Sequence, residues 1–318
     1  MIRSARESEL ASAAERKPED GERTILVTGA SGFVGRHLIA GLRSLDRPTR
    51  CLVRSEAGGR KPEAQGCALA RGDMTDPASL RAACEGVDTV IHLVAIIRGK
   101  PGDYQRVMGA GTRALVEAAS AARVRRFILV SALGVAEETA ELTPYFRAKW
   151  DEERALEAAD LEHVIFRPSF VFGRCGGALP TFIRLVRRSP LTPVLGPGTQ
   201  LIQPIAVQDV ASHLIKAIEL EQACDRTFDL AGPDRVNWDQ LYSLIASVIG
   251  KRRRFVHVPF ALARPAAALF ERLPGFPFTR DQLKMLAAGD NVGDIATTQQ
   301  VFGLSLQPLE EQIRRATS

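Results

Sequence analysis

"ILVTGASGFVG", residues 25–35, decides the reading of the chain. Mostly β-branched and aliphatic residues run into three glycines spaced three apart, Gly29, Gly32 and Gly35. The run predicts a buried strand, a tight turn and the first turn of a helix. Without Cβ atoms, these glycines let the backbone approach a pyrophosphate and let the helix pack close to the strand. The helix N-terminus adds free N–H groups and a partial positive charge. An ordinary glycine-rich turn is the plain alternative, but the strand–turn–helix context is what a nucleotide-binding turn requires.

Outward from this turn, strand and helix signals alternate from residue 23 to about residue 172. "TRCLVR", "ALARGDMTD", "DTVIHLVAII", "RRFILVSALG" and "HVIFRPSFVFG" read as further strands. "PASLRAACEG", "GTRALVEAASAARV" and "YFRAKWDEERALEAAD" read as helices, the first with Pro in its opening turn. The nearly unbroken apolar run of "DTVIHLVAII" suits a strand covered on both faces. The pattern predicts an α/β fold, a doubly wound parallel sheet. It loosens after Gly173. "GRCGGALP" and "SPLTPVLGPGTQ" read as loops around a helix at "TFIRLVRRS". Parts of 201–232 read as strand, helix and strand returning to the main sheet. The expected organisation is a tail at 1–22, a nucleotide-binding domain at 23–173 and a smaller, mostly helical lobe at 174–318.

Residues 1–22, rich in Ala, Glu, Arg and Ser, are expected to be a disordered tail with no signal-peptide character. The 318 residues are 45% hydrophobic and 25% charged, enough for one large core or two modest ones. A net charge of +5, spread along the chain, argues against nucleic acid as a partner. Five scattered cysteines, Cys51, Cys67, Cys84, Cys175 and Cys224, lack metal-ligand spacing and read as reduced thiols in a cytoplasmic setting. No apolar run approaches the ~20 residues that cross a bilayer. "KRRR" at 251–254, followed by "FVHVPFALARPAAALFERL", is basic and then apolar. Contact with an anionic membrane surface is one reading, and a solvated turn leading into a core helix is preferred.

A dinucleotide site usually ends its second strand on a carboxylate that binds the ribose hydroxyls. This chain has Arg54 there, and Arg36 directly follows the last glycine. A guanidinium grips a 2′-phosphate that a carboxylate would repel. NADP(H) is therefore favoured, with NAD(H) the alternative.

"TGASGFVG", "GDMTD", "HLVA", "VSALG" and "YFRAK" together resemble the short-chain dehydrogenase/reductase superfamily, and "RPSFVFG" resembles its extended and atypical branches. The resemblance covers about residues 23–232. "LTPVLGPGTQLIQPIAVQDVA" and "PGFPFTRDQLKMLAAGDNV" resemble the atypical branch that holds the nucleotide-binding accessory subunit of respiratory complex I and its bacterial relatives. The resemblance implies that Gly29, Ser31, Gly32, Phe33, Val34 and Gly35 line the pyrophosphate turn. It places Asp73 and Met74 at the adenine, Leu93, Val94 and Ala95 on the adenosine side, and Pro168 and Ser169 near the nicotinamide. Tyr145 and Lys149 take the family's Tyr-x-x-x-Lys spacing, and Ser131 its carbonyl-orienting hydroxyl. Lys149 would also hold the nicotinamide ribose.

The chemistry also follows from the residues. Tyr145 and Lys149 share a helix face, and an ammonium beside a phenol lowers a pKa that starts near ~10. Such a Tyr passes a proton to or from a substrate oxygen. One departure is Met108, which stands where family members often carry an Asn in a proton relay. His92 reads as a core histidine, and His37, His163, His213 and His257 do not group at metal spacing. Asp209 is expected to cap a helix. Two functions follow: an NADP(H)-dependent oxidoreductase or redox-assisted epimerase/dehydratase acting on a small molecule at a carbonyl/hydroxyl carbon, or a non-catalytic NADPH-binding protein associated with a membrane or respiratory complex.

Overall fold

The computed structural model describes residues 23–45, 47–97, 99–270 and 279–317. The expected tail at 1–22 lies outside them. Six strands of the main sheet come in chain order: β1 (Thr24–Thr28), β2 (Thr49–Val53), β3 (Ala68–Arg71), β4 (Val87–His92), β5 (Arg126–Val130) and β6 (Glu162–Pro168). Across the sheet they run β6-β5-β4-β1-β2-β3, with Arg226–Leu230 added beside β6, and all neighbours are parallel. The order reverses between β1 and β4, the place where open α/β sheets bind ligands.

Helices that cover this sheet include α1 (Phe33–Leu42), α2 (Glu56–Ala64), α3 (Pro77–Cys84), α4 (Ala110–Ala121) and α5 (Pro144–Glu157), with Val207–Lys216 packed beside α1. All five residues of β1 are buried. Ile25 and Val27 pack with Leu38, Ile39 and Leu42 of α1, whereas Leu26 joins Leu80 of α3 and Leu115 of α4 on the other face. Each fully buried Leu or Ile contributes ~1.5–3 kcal/mol, so both faces are held by apolar burial. Asp76 caps α3 by accepting from the Ala78 N–H, and Pro77 fills the first helical position. Thr143 caps α5 in the same way, accepting from the Phe146 N–H at 3.1 Å.

The second lobe packs Phe172, Phe182, Ile183, Trp238, Leu241 and Tyr242 into its own cluster. Two expectations change here. "SPLTPVLGPGTQ" is not all loop, because Leu191–Leu195 is a strand running parallel to Arg254–Val258. In that two-stranded sheet both strands are edges, where Pro193 needs no N–H partner on its outer side. The run after "KRRR" is correspondingly a strand first. Its helix, Phe260–Phe270, joins the core through Ala263, which packs with Leu283, while Leu262 and Leu269 are 68% and 72% exposed. No helix among the described residues is long and apolar enough to cross a membrane.

Candidate functional site

The glycine turn leaves β1 and enters α1. Gly29 sits at φ +73°, and a Cβ there would lie 3.0 Å from the Leu93 carbonyl carbon. A Cβ on Gly35 would lie 2.4 Å from the Gly29 oxygen, so only glycine lets α1 start this close to the strand. Gly32 donates to the Gly29 oxygen at 2.9 Å, and no side chain caps the N-terminus of α1. A phosphate fits this cradle, since the uncapped N–H groups and helix dipole are the donors that it needs. Ser31 is exposed on the turn and Val34 is half-buried.

Phe33 turns away from the cradle. Its ring fills a slot made by Gly173, Gly176 and Gly177; a Cβ on Gly176 would lie 2.3 Å from that ring. Arg36 donates to the Gly32 and Cys175 oxygens at 3.3 and 3.2 Å, tying the turn to the same segment. Arg54 is exposed directly after β2, with no carboxylate at that position. Asp73 is held below the usual carboxylate range, first by the Thr75 hydroxyl and backbone N–H, with Arg54 and Arg106 adding positive charge. Met74 is buried, and a Cβ on Gly111 would lie 2.8 Å from its carbonyl oxygen. Leu93 continues from β4 by donating to the Thr28 oxygen at 3.2 Å, with Val94 half-buried and Ala95 exposed after it.

Across the sheet, Ser131 follows β5. Its N–H donates to the Phe166 oxygen at 2.7 Å, while its buried hydroxyl has no partner. Lys149 on α5 reaches the strand end, donating from Nζ to the oxygen of Val130, the residue before Ser131, at 2.8 Å. Tyr145 stands one turn earlier on α5, half-buried, with its ring edge-on to Tyr104 at 6.4 Å. Pro168 accepts from the Leu133 N–H, and the Ser169 hydroxyl donates to Asn291 Oδ1 at 2.6 Å. These residues all lie at the carboxyl ends of β5 and β6.

The expected lowering of the Tyr145 pKa is overturned. Burial pushes the phenol up; Lys149 pulls it down, but Glu152 and Tyr104 push it up again, and the net direction is upward. Glu152 was not singled out in the sequence. It is fully buried, three residues past Lys149, and accepts from Nζ at 2.8 Å. Its spacing in "KWDEE" was the available signal, since i and i+3 share a helix face. Glu153 behind it takes the Arg167 guanidinium at 3.0 and 2.5 Å. Met108 lies on a π-helical turn, Tyr104–Gly109, and its sulfur accepts from the Ile96 N–H at 3.3 Å.

His92 is a buried core histidine, bonded to Thr28 Oγ1 at 2.6 Å and Thr112 Oγ1 at 2.9 Å. Burial and the Lys149 charge lower its pKa to about 3. Asp209 caps no helix of its own. It accepts from the backbone and side chain of Gln307, fastening the C-terminal segment. His163 and His257 each meet one acid, Asp225 and Asp239. Among the described residues one acid–thiol trio, Glu162, Glu221 and Cys224, gathers tightly, and it surrounds the guanidinium of buried Arg126.

Residues 29–219 match a sequence family described as NAD(P)H-binding. A ceramide reductase from Caulobacter vibrioides is 30% identical over 79% of this chain and 78% of its own length. The mitochondrial subunit 9 of the NADH dehydrogenase [ubiquinone] 1 alpha subcomplex from Arabidopsis thaliana is 28% identical over 85% of this chain and 71% of its own. Among solved structures, an NADPH-dependent quinone oxidoreductase from Escherichia coli, complexed with NADPH, superposes with a TM-score of 0.75 at 20% identity, covering 92% of this chain and 100% of that one.

Proposed function

The chain belongs to the NAD(P)H-binding family, within the extended branch of the short-chain dehydrogenase/reductase superfamily, and from this we propose that it is an NADP(H)-dependent oxidoreductase acting at a carbonyl/hydroxyl carbon of a small molecule. One observation carries the reading. Lys149 is tied to the end of β5 beside the unpartnered Ser131 hydroxyl, and Tyr145 sits one helical turn away. Ser131 Oγ orients the substrate oxygen, Tyr145 Oη exchanges a proton with it, and Lys149 steadies both the phenol and the nicotinamide ribose. Gly29, Ser31, Gly32, Val34 and Gly35 present backbone to the pyrophosphate. Asp73, Met74, Leu93, Val94 and Ala95 bound the adenosine half, Pro168 and Ser169 the nicotinamide half, and Arg54 takes the 2′-phosphate. The bound nicotinamide supplies the hydride.

Tyr145→Phe is expected to abolish turnover while leaving NADPH affinity within about twofold, since the hydroxyl serves only the reacting oxygen. Loss of NADPH binding on that change would remove the assigned role.

A second reading has its own support. Met108 puts a thioether where a relay amide is expected, and Lys149 is already closed against Glu152. Both suit a protein that keeps NADPH as a structural ligand of a larger assembly, and the Arabidopsis relative is by name a subunit of a respiratory dehydrogenase. Exchange of the bound dinucleotide separates the two. Replacement within seconds supports turnover, whereas release only on unfolding supports the structural ligand.

A further inference from the structure

Behind Tyr145 and Lys149 lies a closed polar chain that the proposed reaction does not use. Lys149 and Glu152 are 1% and 0% exposed and meet at 2.8 Å. The second N–H of the ammonium goes to the Val130 oxygen, also at 2.8 Å, which leaves a third donor. The Thr112 hydroxyl lies against the Glu152 carboxylate, His92 Nε2 is 2.9 Å from that hydroxyl, and His92 Nδ1 is 2.6 Å from Thr28 Oγ1. Carboxylate Oε1 has no partner.

Neutral His92 has one ring N–H to give and one ring nitrogen that accepts, and it bridges the Thr28 and Thr112 hydroxyls beside the pair. Burial pushes the Glu152 carboxyl up and the Glu153 charge adds to this; the Lys149 charge and hydrogen bond and the Thr112 hydroxyl oppose it, and the net direction is upward. Burial likewise pulls Lys149 down, and Glu152, Tyr145 and Glu153 together more than offset this. A buried ion pair is a poor source of stability, because an apolar pair of similar volume is often as good. Its effect here falls on the neighbouring phenol.

We propose that Glu152 is the positioning residue of this site, a buried counter-ion that fixes the Lys149 ammonium against the end of β5 and keeps Tyr145 a proton donor. The groups that face the pair are Glu152 and Glu153 on α5, Tyr104 on the π-helical turn, and His92 on β4.

This inference rests on Tyr145 and Lys149 being the acid/base pair, and the test separates the two claims. The full chain carries three tyrosines, so 13C-Cζ labelling gives a small spectrum, with Tyr145→Phe assigning the signal. Lysine 13C-Cε labelling, with Lys149→Met, reports the ammonium. In Glu152→Gln the first deprotonation of the Tyr145–Lys149 pair is expected at least about one pH unit lower than in wild type, a tenfold shift, and Glu152→Asp is expected to restore most of it. An unchanged titration in Glu152→Gln overturns the inference, since a merely structural Glu152 would leave it in place. Should Glu152→Gln not fold, Glu152→Ala removes the same charge; the same downward shift supports the inference and no change overturns it. Retained turnover in Tyr145→Phe would sink the acid/base reading by itself, whatever the titration shows.

Discussion

At the scale of single residues, bare Cα positions and buried protons control the site. Gly35→Ala would drive a Cβ to 2.4 Å from the Gly29 oxygen and 2.6 Å from the Ala30 oxygen. Overpacking of this kind costs about 1–3 kcal/mol, and here it also moves the phosphate cradle. Loss of NADPH binding greater than the loss of thermal stability explains is the expected result, read by titration calorimetry beside a melting curve. His92 sets a pH dependence. Its folded pKa, about 3, lies below the ordinary histidine value, so the unfolded chain binds the proton first as pH falls below ~6.5. Stability is therefore full above ~6.5 and declines toward about 3, by up to ~1.4 kcal/mol per pH unit for this group. Denaturant unfolding at pH 7, 6 and 5 should show a shallower slope for His92→Asn. His213, also lowered first by burial, leaves part of the slope in place. The glycine turn and the gathering of Tyr145 and Lys149 toward Ser131 were legible in the sequence because fixed spacing encodes where they stand. Glu152 was not legible as a partner, because an acid beside a lysine on a helix usually faces water. Only the packing of α4 against α5 shows that this one is buried.

At the scale of elements, caps and strand-end ion pairs hold the helices in place. Thr143→Ala removes the N-cap of α5, the helix that carries Tyr145 and Lys149, and should cost about 1 kcal/mol with a lower melting temperature. Asp88 in β4 receives Arg47 at 2.8 Å and Arg125 at 3.2 Å. Burial pushes its carboxyl up, but Arg125, the Thr89 hydroxyl and Arg47 hold it below the usual range. Its stabilisation is present above the unfolded value of ~3.9 and is lost as pH falls through the lower folded value. Asp88→Asn should be clearly less stable than wild type at pH 7, with the gap closing below pH 4 in the same unfolding assay. The central strands β1, β4 and β5 were readable because apolar runs covered on both faces have no competing pattern. Helix α2 was not, since "EAGGRKPEA" carries two glycines and a proline. Gly59 lies against Leu69, with a Cβ there 2.7 Å from that side chain, a tertiary contact invisible to local propensity. The strand Leu191–Leu195 was hidden in the same way, as Pro193 suppresses the signal that its pairing with Arg254–Val258 supplies.

At the scale of the whole molecule, the two lobes meet at the turn where the sequence reading began. The ring of Phe33 leaves the phosphate cradle and fills the Gly173–Gly176–Gly177 slot, with Arg36 bonded to Cys175 beside it. That segment leads directly into Leu179–Arg188, part of the core of the second lobe. Gly176→Ala would expel the ring, and the expected outcome is weaker NADPH binding together with a lower melting temperature, although residue 176 lies outside the glycine cradle. The contact also has a thermodynamic meaning. Filling the cradle steadies Phe33, Phe33 steadies the approach to the second lobe, and coupling between two sites is reciprocal. Whatever ligand the second lobe takes should therefore bind more tightly once the cradle is filled, and the nucleotide should gain by the same factor in return; replacing that single aromatic ring, as in Phe33→Ala, should uncouple the two affinities.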